Sequence, residues 1–112
     1  MATLAVQRIT RAGLNPAYAA ASAGGDKFAP SETTFLHVKN GSASAHNVTV
    51  VTPGEVTDGL GIADLVVSVP ATGERMIGPF PSRYFSNAAD SGLAAVTYAA
   101  VTNVTVAAVV LA

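Results

Sequence analysis

The chain has 112 residues, half of them hydrophobic, which is enough for one domain and too short for two. Six Lys+Arg stand against seven Asp+Glu, a net charge of −1, and there is no cysteine. That balance lacks the basic field that phosphate binding needs, is too apolar for a disordered segment, and excludes disulfides, thiolate metal sites and a cysteine nucleophile.

The apolar residues are mostly small or β-branched, 22 Ala and 15 Val against 7 Leu and 3 Ile. Met1 to Arg8 has no basic stretch followed by an apolar run, so no signal peptide is expected. Leu4 and Val6 alternate with polar or small neighbours and predict a first strand over residues 3–10. Pro16 holds its surroundings extended. The alanine run from 17 to 23 has the propensity for a helical turn, cut short by Gly24-Gly25-Asp26. Thr34 to Lys39 alternates, with Leu36 and Val38 on one face. Asn40-Gly41-Ser42 reads as a turn at positive φ, and Asn47 to Thr52 as a strand returning beside residues 34–39 in a hairpin.

Turn clusters make residues 53–63 a long loop. Residues 64–69 and 74–77 read as strands separated by Pro70 to Gly73. Pro79 to Phe85 packs two prolines and three aromatics into seven residues, which predicts a structured corner against the core. Residues 87–92 read as polar loop. From Ser91 to the end no residue is charged, a length that nominally spans a bilayer. Its alternation and its threonines favour two paired strands, 94–100 and 104–110, turning at Thr102-Asn103. About seven short strands therefore predict an all-β single domain, a compact β-sandwich or small jelly-roll-like barrel. Residues 1–25 form an extended N-terminal strand or arm with an Ala/Gly-rich connector, and 26–112 the β core.

Sites of chemistry are sparse. His37 and His46 would approach one another on a hairpin, but no further ligand spacing accompanies them. The carboxylates Asp26, Glu32, Glu55, Asp58, Asp64, Glu74 and Asp90 are spread singly and read as solvated loop charges. Asp58 and Asp64 lack calcium-loop spacing. No nucleophile elbow or phosphate loop is present. Phe80, Tyr84 and Phe85 read as core plugs in preference to a sugar-stacking platform. Arg75 and Arg83 flank that corner and suit contact with a partner. No catalytic, cofactor-binding or metal residue is expected, and no enzyme activity.

The ordered set Ala19 to Phe28, Thr34 to Ser42, Val69 to Phe80, Val96-Thr97-Tyr98 and Val101 to Ala108 resembles small structural proteins encoded among the head genes of tailed bacteriophages, especially phages of actinobacteria. The resemblance covers most of residues 3–111 and leaves 53–63 unmatched. It implies a capsid decoration (cement) protein on the capsid exterior of the virion, made in the bacterial cytoplasm. Its partners would be the major capsid protein and copies of itself, a trimer being favoured. It implies no cofactor and no small-molecule substrate, nucleic-acid or membrane partner. The candidate interface residues are Leu4, Val6 and Arg8 of the N-terminal strand, with Arg75 and Arg83. A host-glycan-binding β-sandwich on the virion and a tail-tube or head–tail joining protein are the alternatives.

Overall fold

Alternation alone places six strands close to where they form: β5 (Thr34–Asn40), β6 (His46–Val50), β9 (Leu65–Val69), β10 (Glu74–Ile77), β11 (Ala94–Tyr98) and β12 (Val104–Val110). The structure, a computed structural model, describes residues 2–52, 55–57, 60–61, 63–87 and 91–111. Shorter strands complete it: β1 (Ala2–Thr3), β2 (Val6–Arg8), β3 (Ala19–Ala20), β4 (Asp26–Phe28), β7 (Glu55–Thr57) and β8 (Leu60–Gly61), with a one-turn helix α1 (Ser82–Phe85) at the aromatic corner.

The strands form two facing sheets, in the orders β1-β4-β11-β6-β9 and β10-β5-β12-β2, with β3 also against β12. The fold is a β-sandwich. Its narrowest extent, 20 Å, suits two sheets about 10 Å apart with side chains on their outer faces. Between them lie Leu36 and Val38 of β5, Val48 and Val50 of β6, Val96 of β11 and Val106 of β12, all nearly inaccessible. Each such side chain contributes roughly 1.5–3 kcal/mol by leaving water.

The strand pairing differs from the expected hairpins. β5 and β6 lie in different sheets, as do β9 and β10, and β11 and β12. Each short connection is an arch across the sandwich. Alternation says which side chains point inward, but it does not say which sheet a strand joins. The Asn40-Gly41 turn is also built differently, since neither residue has positive φ; the left-handed residue is Asn103 (φ 59), in the β11–β12 arch. Gly41 is needed for close approach. Its N–H donates to Asn103 O at 2.8 Å, and a Cβ at position 41 would sit 3.2 Å from that oxygen.

The N-terminal stretch is not one strand. It pairs parallel to β4 through β1, crosses at Leu4-Ala5, and pairs parallel to β12 through β2. One segment thus closes the same flank of both sheets. The alanine run is extended as β3, antiparallel to β12, and not helical. Residues 9–18 then strap the outer face of the second sheet, where Ile9, Leu14, Pro16 and Tyr18 gather with Phe35, His37, Met76 and Val109. This is why four consecutive residues of β12, Val106 to Val109, are buried. Within the expected long loop, β7 and β8 pair as a separate two-stranded ribbon. Residues 53, 54, 58, 59 and 62 of that loop, and 88–90 of the loop expected at 87–92, lie outside the described residues.

Candidate functional site

Two sheets have four lateral edges, and these edges are where a small β-sandwich can meet a partner. On one flank the sheets end in the short N-terminal strands β1 and β2, linked through Leu4-Ala5. On the other flank the sheets end in β9 and β10, joined by the four-residue arch 70–73, and among the described residues nothing pairs with either strand's outer side.

Hydrogen-bond parity shows which backbone groups are free there. Asn40 N donates to Gly73 O (2.8 Å), so Arg75 and Ile77 turn their backbone groups toward β5, while Glu74 and Met76 turn theirs to the free edge. Val51 N to Ala95 O and Ala99 N to Asn47 O (both 2.9 Å) turn the odd residues of β6 toward β11. Its even residues therefore bond Leu65, Val67 and Val69, and the backbone of Val66 and Ser68 faces outward. The two edges carry the exposed side chains of Val66 (56%) and Met76 (67%). Met76 also rims an open groove of about 350 Å³ with Phe35, Gly78 and Leu111. Gly78 (φ 148) lets the chain turn tightly over β5, as a Cβ there would meet Phe35 Cβ at 2.8 Å.

The five expected interface residues are not brought together. Leu4 is buried in the chain's own core at 8% exposure, and Val6 is half-buried against it. Arg8 is exposed at the end of β2. Arg75 shares the inward-facing side of β10 with buried Ile77, yet it lies at the edge and is exposed. Its Nη1 donates to Glu74 O at 2.8 Å, so it occupies one of the free edge carbonyls, as charged residues on edge strands do. Arg83 lies over the Tyr84 ring at 4.8 Å. Phe80 and Phe85 are buried and pack edge-to-face, Phe28 to Phe80 at 5.0 Å and Phe80 to Phe85 at 5.1 Å. Only Tyr84 of the three corner aromatics reaches solvent.

Three polar clusters were not legible as such. The first is a relay on the outer face of the second sheet. His37 Nε2 lies 2.7 Å from Glu74 Oε1 and Nδ1 lies 2.7 Å from Tyr18 Oη, with the Lys39 ammonium 4.0 Å from the Tyr18 ring centre. A neutral His37 donates to Glu74 and accepts from Tyr18. A charged one donates to both, because a phenol oxygen also accepts. The relay therefore braces the strap in either protonation state. His46 is on the other sheet, bonded to Ser42 Oγ at 2.9 Å, so the two histidines do not form a pair.

The second cluster is Asn40, 2% exposed. Its Nδ2 donates to the carbonyls of Ser44, Val69 and Pro70 at 2.8–3.2 Å, and its Oδ1 accepts from Ser42 N and Oγ. One amide ties together the ends of β5 and β9 and the first arch.

The third is Asp26, which is no loop charge. It sits in β4 on the inward side with Phe28, 1% exposed. Oδ2 accepts from Tyr98 Oη at 2.8 Å and Ser22 N at 3.3 Å, while Oδ1 has no partner. Burial, then the hydrogen bond to Asp26 and its charge, push the Tyr98 hydroxyl well above its ordinary value, so it stays a donor. The alternation Asp26-Lys27-Phe28 was the available signal, because it puts Asp26 on the face of a core phenylalanine.

Among the described residues no three His, Asp or Glu side chains gather as a cation site, and no helix is long and apolar enough to cross a membrane. Asp58 lies outside the described residues, and Asp64 Oδ1 accepts from Thr52 N and Oγ1 at the base of the ribbon. No family model, curated protein or solved structure matches this chain.

Proposed function

We propose that this chain is a structural virion protein, a capsid decoration protein that joins major capsid subunits on the outside of a phage head. The observation that supports it best is the open flank, where two adjacent strand edges present unpaired backbone groups beside Val66 and Met76. Such a surface binds other β-rich subunits by strand addition and apolar burial, with little use of charge. Many copies on one shell then add their weak contacts. Self-association, a trimer in this reading, would use the same edges, with Arg75 limiting uncontrolled pairing along β10.

The test is a comparison of phage heads with and without this protein. Heads lacking it are expected to assemble but to release DNA at lower temperature or under osmotic shock. Binding to expanded heads should change little between low and high salt, since screening weakens exposed charge pairs and hardly touches apolar burial. Heads that are equally robust, on particles that lack tails or fail to adsorb, would move the role to a joining protein or a host-binding module.

A further inference from the structure

The flank closed by the N-terminal segment holds a feature that the assembly reading does not use. A cleft of about 380 Å³ runs between residues 2–7 on one side and residues 17–20 and β12 on the other, with Asp26 in its wall. Small residues dominate its lining, among them Ala2, Ala5, Ala17, Ala20 and Ala108.

An ionised carboxylate this deep is costly unless it is paired and fully hydrogen-bonded. Both donors to Asp26 go to Oδ2, Oδ1 has none, and no basic side chain pairs with it among the described residues. The fold itself therefore leaves half of this charge uncompensated. The chemistry that suits the unpartnered oxygen is specific. A single carboxylate among alanines offers a metal ion too few oxygens. A guanidinium prefers both carboxylate oxygens in a fork, and Oδ2 is already occupied. A primary ammonium is a compact charge with rotatable donors that suits one free oxygen, and its methylene stem suits an apolar wall.

We propose that this cleft binds a primary alkylammonium group, which donates to Asp26 Oδ1 while its methylene chain lies along the alanine wall. The group is carried by a free amine or by a lysine side chain of another protein. Oδ1 is closed to solvent in this conformation, so entry requires an outward shift of β1, which pairs with β4 over only two residues, one of them Asp26 itself. The inference is independent of the decoration role.

The experiment is a titration of the whole chain followed by its amide NMR spectrum, using n-butylammonium, N-acetyl-lysine amide and the neutral analogue n-butanol. Saturable shifts centred on residues 2–5, 19–20 and 26 are expected with one or both amines and not with butanol. Binding of the free amine alone identifies a small-molecule ligand, and binding of the lysine derivative identifies a protein side chain. Asp26→Asn should weaken binding about tenfold or more, the usual scale for losing a charged hydrogen bond. Ala20→Leu, which fills the cleft and leaves the carboxylate intact, should do the same, and it decides the matter if Asp26→Asn misfolds. No saturable shift with either amine, equal binding of butanol, or binding that survives both substitutions overturns the proposal.

Discussion

Asn40 and Asp26 are buried to nearly the same depth, 2% and 1% exposed, and they sit in opposite sheets. Every polar atom of the Asn40 side chain has partners, and those partners are the carbonyls and amide that shape an arch. Asp26 spends one carboxyl oxygen on Tyr98 and Ser22 and leaves the other bare. The same fold thus contains one buried polar group that is complete and one that is not. Buried polar groups are retained when satisfied, and an unsatisfied one calls for a reason outside the fold. Asn40 serves architecture, and Asp26 is left available for a ligand.

An apolar site sets the scale for this contrast. Phe80→Ala removes a fully buried ring between Phe28 and Phe85 and should cost roughly 3–5 kcal/mol in a denaturant titration. A smaller loss would mean that the corner is not part of the core. Asn40→Ala should follow at about 2–3 kcal/mol, because the carbonyls of Ser44, Val69 and Pro70, that of Val69 buried, lose their donor. A loss under about 1 kcal/mol, the ordinary cost of one hydrogen bond, would break the view of Asn40 as a hub.

Gly41→Val should cost about 1 kcal/mol and Gly41→Ala clearly less, since only the Asn103 carbonyl must give way. Equal losses for both would restore a positive-φ turn, where any Cβ is penalised. The hydroxyl beside Asp26 gives a pH signature. The Tyr98 hydroxyl titrates higher in the fold than the ordinary tyrosine value of 10.0, so above that pH the unfolded chain releases a proton that the native state keeps. Stability present below pH 10 is then lost as pH rises. Wild type should lose stability between pH 9 and 11 more steeply than Tyr98→Phe, as read from denaturant midpoints. Parallel slopes would contradict a buried Tyr98–Asp26 bond.

The strands were legible in the sequence and their partners were not. β5, β10 and β12 fall almost where period two puts them, because inward residues such as Leu36, Val38, Val104 and Val106 must be apolar whichever sheet they belong to. The pairing of β5 with β12, residues 34–40 against 104–110, joins segments about seventy positions apart, and no local pattern encodes that. The arches looked like hairpins because Asn-Gly and Thr-Asn favour turns of either kind. At the candidate sites, Arg75 was visible as a charge near a corner, but its place on an edge strand depends on topology. Asp26 looked like one of several scattered carboxylates. Its burial follows from β1 and β11 covering β4 on both sides, a tertiary fact.

The most direct test is to measure the stability of Asp26→Asn beside Asn40→Ala under the same conditions. The substitution removes a buried charge and keeps an oxygen able to accept from Tyr98, and replacing a poorly compensated buried ion with a neutral group is often close to neutral. Asp26→Asn is expected to stay within about 1 kcal/mol of wild type, a small value on the scale of single substitutions, or to be more stable, while Asn40→Ala is clearly destabilised. If Asp26→Asn loses as much stability as Asn40→Ala, the carboxylate is part of the architecture and the distinction between the two sites fails.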